Sequence, residues 1–231
     1  LNNYIEGGGS IIFLKQRKRN LKKFLFVFII LGIALTGMTI SHHVAEAANT
    51  RIYIDPGHGG SDPGASANGL QEKDVTLDIA LRTRDILNEQ YSGHTIKLSR
   101  TSDVTKSLDA RTNEANNWGA NFFVSIHINA GNSTGYESFT WNGSHENKER
   151  TNAIRNTIHN ETVEQTGFTD RGKKEANLHV LRESSAPAIL TENGFIDNAA
   201  DADKLKSDAF IEEIAQGHAD GIAKALGLPA K

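Results

Sequence analysis

The chain has 231 residues, with 25 Lys and Arg against 28 Asp and Glu, and it contains no cysteine. That length suits one sizeable α/β domain. The absence of Cys excludes disulfides and thiolate metal sites, so any metal must be held by His, Asp or Glu. Residues 1–47 carry six of the basic side chains and two of the acidic ones, leaving 19 and 26 on the remainder. So acidic a body gives no electrostatic basis for binding nucleic acid.

Taken in chain order, the N-terminus has a basic stretch, Lys15–Lys23, and then the apolar run Phe24–Ile40. The small-x-small triplet Ala45-Glu46-Ala47 follows. This is the pattern of an export signal cleaved after Ala47; the alternative is a retained membrane anchor, for which the apolar run is at the short limit. The expected division is therefore an N-terminal extension and signal peptide over 1–47 and a single domain over 48–231. The chain starts at Leu1 and its one methionine is Met38, so no structure is read into the first residues.

Beyond that point β-rich runs alternate with amphipathic helices. Arg51–Ile54 reads as a strand entering the Gly-rich turn Asp55–Gly60, and Asp74–Gln90 reads as a helix. Thr95–Ser99 is a second strand and Leu108–Asn117 a second helix. Phe122–Ile128 is apolar enough to be a central parallel strand covered on both faces. A helix over Glu146–Thr166, short strands at Leu178–Leu181 and Ala188–Leu190, and a last helix from near Asp208 complete the pattern. The alternation predicts an α/β fold: a mostly parallel twisted sheet of about six strands with helices on both faces.

Such sheets place their sites at the carboxyl ends of strands. His58 follows the first strand, His127 ends the central one, and Glu192 follows Ala188–Leu190. Glu72 stands where the first helix begins. Two His and a carboxylate form a hydrolytic zinc set with one position left for water, and a further carboxylate is what proton transfer requires. The residues alone leave other readings open. His127 also reads as a hydrogen-bonded core histidine, Glu72 as a helix-dipole partner, and Gly57, Gly59 and Gly60 as a tight turn.

A longer pattern bears on that choice. DPGHGGSDPGA (Asp55–Ala65), QEKDVTLDIA (Gln71–Ala80), SIHINA (Ser125–Ala130) and LTENGFIDN (Leu190–Asn198) occur in order. Together they resemble the zinc-dependent N-acetylmuramoyl-L-alanine amidases. The segments Arg111–Ala120 and Asp170–Ser184, with the tail Asp203–Gly221, are most similar to the mother-cell autolysin group of spore formers. The resemblance spans Arg51–Leu228. It implies one Zn²⁺ per chain on His58, Glu72 and His127, with Glu192 as the catalytic glutamate. It further implies peptidoglycan as substrate, cut at the amide between the lactyl group of N-acetylmuramic acid and L-alanine. A secreted, wall-acting monomer with no nucleic-acid partner is expected. The competing readings are a zinc peptidase acting within the stem peptide and an inactive wall-binding protein.

Several other residues invite a role. Asp55 is read either as the residue that orients His58 or as a turn former, and the Gly59-Gly60 amides as oxyanion donors. His179 is the rival ligand, on a strand. His218 is expected in the core, and His94, His145 and His159 at the surface. Trp118 and Trp141 are expected to pack buried or half-buried rather than line a groove. Arg171, Lys173 and Lys174 form a basic cluster, read as a solvated face rather than a contact for acidic stem-peptide groups.

Overall fold

A computed structural model of the chain describes residues 49–231. The export segment expected over 1–47 lies outside the described residues. Among those described, no helix is long and apolar enough to cross a membrane.

Six strands form one sheet: β1 (Thr50–Pro56), β4 (His94–Leu98), β5 (Phe122–Asn129), β6 (Tyr136–Trp141), β7 (Asp170–Ala176) and β8 (Ala188–Phe195). A two-stranded hairpin, β2 (Ser66–Ala67) with β3 (Leu70–Gln71), lies outside it. The sheet order is β4-β1-β5-β8-β6-β7, and every neighbouring pair is parallel except β6 with β8. The helices are α1 (Glu72–Gln90), α2 (Leu108–Trp118), α3 (Lys148–Thr166), α4 (His179–Arg182), α5 (Ala199–Leu205) and α6 (Asp208–Leu226).

Alternate strand residues point to opposite faces, and each face has its own core. Ile52, Ile54, Phe122, Val124, Ile126 and Ile189 pack on α1, α3 and α6 through residues such as Ile79, Leu87, Ile158, Ile214 and Ile222. Tyr53, Phe123 and Leu190 face the other way, against Ala115 of α2 and Val180 and Leu181 of α4. The expected α/β sheet, mostly parallel and flanked by helices on both faces, is the architecture observed.

Three local expectations are corrected. Leu178–Leu181 is not a strand. Its centre is the single-turn helix α4, closed by Arg182 N–H donating to the Leu178 carbonyl at 3.0 Å; a short apolar run cannot distinguish the two forms by period alone. The strand expected to stop at Leu190 continues to Phe195, because Asn193 pairs with Tyr136 on β6. His159 is fully buried rather than at the surface, bonded to Ser138 Oγ (2.7 Å) and Asp170 Oδ1 (2.8 Å). His218 is buried as expected, against Thr191 and the Ile214 carbonyl, whereas His94 and His145 are half-buried. The two tryptophans are half-buried: Trp118 tilts on Tyr53 and Trp141 stacks on His145.

Candidate metal centre and groove

The site grows from the turn after β1. His58 sits at φ +60°, a left-handed conformation that costs a non-glycine residue on the order of 1–3 kcal/mol and survives only where its surroundings fix it. Two buried arginines provide that fixing. Arg111 donates to the carbonyls of Pro56 (2.7 Å) and His58 (2.6 Å), and Arg100 to the carbonyl of Gly57 (2.9 Å). Thr76 Oγ1 on α1 also donates to the Gly57 carbonyl at 2.9 Å.

Asp55 completes this frame, but not in either role expected of it. It is buried, taking Arg111 Nη1 at 2.6 Å and Ser125 Oγ at 2.8 Å, and it makes no hydrogen bond to His58. The partner of His58 is Asp62, which accepts from Nδ1 at 2.8 Å. That bond leaves Nε2 to face Glu72 Oε2 at 3.2 Å. A carboxylate on the outer ring nitrogen is the usual means of setting a ligand histidine's tautomer.

Glu72 is the first residue of α1 and is buried. Its Oε1 accepts from His127 Nδ1 (2.9 Å) and the Ile128 N–H (3.0 Å), and its Oε2 from the Ala65 N–H (3.0 Å). One ring nitrogen from each of His58 and His127 and one carboxylate oxygen of Glu72 all lie within 4.8 Å of one another. Two imidazoles and one carboxylate, oriented by Asp62 and by backbone amides, are a donor set suited to one divalent cation of the zinc type.

Two glycines make room for it. A methyl on Gly57 would fall 2.6 Å from His127 Nε2, and one on Gly64, itself at φ +65°, would fall 2.6 Å from Glu72 Oε2.

The charges are tightly matched. The hydrogen bond to Glu72 raises His58 to about 9 against the opposing effect of burial. Burial pushes Glu72 up, but its bonds to His127 and His58 outweigh this and hold it well below the ordinary carboxylate range.

Glu192 lies within β8, not after it, and is the direct ladder partner of His127. Its Oε2 is buried and has no hydrogen-bond partner among the described residues. Burial pushes this carboxyl up to about 7, with His127 pulling it down and Glu72 and Glu137 pushing it further up. An ionisable oxygen left unmatched beside a cation-ready cluster is suited to taking up a proton.

A groove of about 400 Å³ opens over this cluster, lined by His58, Asp62, Leu108, His127, His179 and Leu190 among others. His179 therefore borders the groove, yet it faces Asp109 at 3.1 Å and is not part of the His–Glu–His cluster. The Gly59 and Gly60 amides are spent within the fold, donating to the Asp62 carbonyl (2.8 Å) and to Asp103 Oδ1 (2.6 Å), so neither is an oxyanion donor. The basic cluster is not simply a solvated face. Arg171 and Lys174 hold the buried carboxylate of Glu137, while Lys173 is exposed. Asp62, Arg111 and Glu137 are site residues that the sequence reading does not single out.

Residues 52–224 match the sequence profile described as N-acetylmuramoyl-L-alanine amidase. The chain belongs to this amidase family. It is 56% identical over 178 residues to the sporulation-specific N-acetylmuramoyl-L-alanine amidase of Bacillus subtilis, covering 77% of this chain and 69% of that one. Among solved structures it is similar to an N-acetylmuramoyl-L-alanine amidase from Clostridium difficile 630, with a TM-score of 0.73 and 34% identity over 78% of this chain and 97% of the other. The catalytic domain of the amidase CwlV from Bacillus (Paenibacillus) polymyxa is equally similar, with a TM-score of 0.73, 34% identity, and coverage of 78% and 99%. The amidase is thus a hydrolase of bacterial peptidoglycan.

Proposed function

We propose that the enzyme is a zinc-dependent, wall-acting amidase that cuts between the lactyl group of N-acetylmuramic acid and L-alanine, with Glu192 moving the proton. The observation that carries this reading is the convergence of His58, Glu72 and His127 beside the unpartnered Glu192 Oε2. His58, Glu72 and His127 would hold one Zn²⁺. When bound, the ion supplies Lewis acidity to a water and to the scissile carbonyl.

The chain's own residues supply the rest. Asp62 keeps the proton of His58 on Nδ1, so that Nε2 stays available as a donor to metal. Glu192 accepts a proton from the attacking water as the water oxygen bonds to the lactyl carbonyl carbon. The same proton then passes to the alanine nitrogen as the C–N bond breaks, leaving a lactyl carboxylic acid and a free amine. Leu108 and Leu190 line the groove and reduce the water competing for these polar atoms.

Export by a signal peptide over 1–47, cleavage after Ala47 and a monomeric state accompany this reading. Export accords with a wall substrate and with a relative in Staphylococcus aureus named as a probable cell wall amidase. Removing metal with a chelator and then restoring Zn²⁺ tests the cofactor. Wall lysis should vanish and return, with one zinc per chain in the active protein. Lysis by metal-free protein would overturn the reading.

A further inference from the structure

Crossing the sheet from the metal centre, the strands appear in the order β5, β8, β6, β7. His127, Glu192 and Glu137 occupy one ladder row across the first three, since Glu192 pairs with both of the others. Glu137 is 3% exposed, and among the described residues its ion pairs are with Arg171 and Lys174 rather than with the metal cluster. Its two oxygens are taken separately by β7 side chains, Oε1 by Arg171 Nε at 2.5 Å and Oε2 by Lys174 Nζ at 2.6 Å.

One cation would neutralise Glu137; two leave a net positive charge fixed at the sheet edge. Arg171 is further held by Ser133 Oγ at 2.5 Å and lies 4.9 Å over the Phe195 ring, and Lys174 lies 5.8 Å over Phe139. Both remain partly exposed, at 31% and 39%. Arg171 Nη2 donates to no group among the described residues, and Lys174 Nζ spends its only hydrogen bond on Glu137. The two cations are thus rigid from below and open above, the arrangement that favours a charge-assisted pair with an anion.

We propose that Arg171 and Lys174 form a receptor for a carboxylate of the stem peptide, on the leaving-group side of the scissile amide. The proposal rests on the amidase reading. If Glu192 protonates the alanine nitrogen, the acyl side lies over the metal ligands and the peptide runs away across β6 toward β7. Two strand spacings of about 4.8 Å separate β8 from β7, which an extended peptide at about 3.3 Å per residue spans in about three residues. A carboxylate on the second or third stem residue therefore reaches the pair, while Glu137 keeps both cations in place.

The test uses soluble muramoyl-tripeptides with both stem carboxylates free, with only the second residue's amidated, and with only the third's amidated. kcat/KM at the lactyl amide should fall about tenfold for one of the amidated substrates, as expected for loss of a charge-assisted contact. In Arg171→Gln and in Lys174→Gln the ratio between that substrate and the free acid should collapse toward one. The ratio is taken within each variant, so any general loss from altered packing cancels. A wild-type enzyme indifferent to both amidations, or variants that keep its preference, would overturn the receptor. Cleavage of none of the three at the lactyl amide would instead overturn the amidase reading, and the receptor with it.

Discussion

Glu192 on β8 and His127 on β5 are ladder partners, so their side chains leave the same face of the sheet side by side. His127 is engaged by Glu72 at 2.9 Å, whereas Glu192 Oε2 is buried without a partner. The sheet register, rather than a flexible loop, therefore sets the distance between a prospective ligand and a prospective base. Rigid strands hold such geometry better than loops do.

If Glu192 is the proton carrier, Glu192→Gln should lower kcat by about 10²- to 10⁴-fold while zinc content stays near one per chain. Turnover by assay and metal content by mass spectrometry decide this together. A variant that keeps near-wild-type turnover would remove Glu192 from the mechanism.

The same carboxyl should give the rate an acid limb. A base must be ionised, and burial raises Glu192 from 4.5 to about 7, so activity is lost as pH falls. A bound cation favours the ionised form and pulls the midpoint back toward the ordinary value. The inflection in kcat/KM should therefore lie between those limits and vanish in Glu192→Gln. A wild-type profile that is flat across this range would contradict the assignment.

Metal uptake should release protons. His58 is raised to about 9 by its hydrogen bond to Glu72, so at pH 7 the metal-free site carries a proton there that the ion must displace. Affinity accordingly rises with pH until His58 loses its proton. The corresponding stability runs the other way. A raised histidine stabilises the metal-free fold fully below 6.5 and loses that contribution as pH rises through about 9. Calorimetry in two buffers of different ionisation enthalpy reads the protons directly; heats independent of buffer at pH 7 would refute this.

Gly57→Ala should weaken zinc binding without unfolding the domain. The new methyl meets the His127 ring at 2.6 Å from Nε2, and relieving overlaps of this kind costs about 1–3 kcal/mol. Chelator competition should show about tenfold or greater loss of affinity, with the far-UV spectrum unchanged. Unaltered affinity would mean that His127 is not fixed over Gly57.

Arg111→Met should be among the most damaging changes away from the metal ligands. It strands the buried Asp55 carboxylate and frees the Pro56 and His58 carbonyls. Breaking one side of a buried pair costs about 3–5 kcal/mol, which thermal unfolding would detect. A loss under about 1 kcal/mol would contradict the role given to this pair.

How much of this was legible in the sequence depended on polarity. β1, β5 and α6 announce themselves through apolar runs or helical spacing, and His58, Glu72 and His127 through ordered motifs. β6 and β7 did not, because Glu137, Ser138, Arg171 and Lys174 make them resemble loops while the β8 ladder and the sheet edge satisfy their backbone. Glu192 looked like a post-strand residue for the same reason: Thr191, Glu192 and Asn193 are polar yet lie in the middle of a ladder. Asp62 was hidden because only the left-handed turn at His58 brings it back onto Nδ1.

The most direct test of the central claim is mass spectrometry of purified peptidoglycan after digestion by the zinc-loaded protein. The account predicts intact glycan strands and released peptides with a new L-alanine amino terminus, lost on chelation and in Glu192→Gln. Products that keep L-alanine on muramic acid and are cut further along the stem would contradict it.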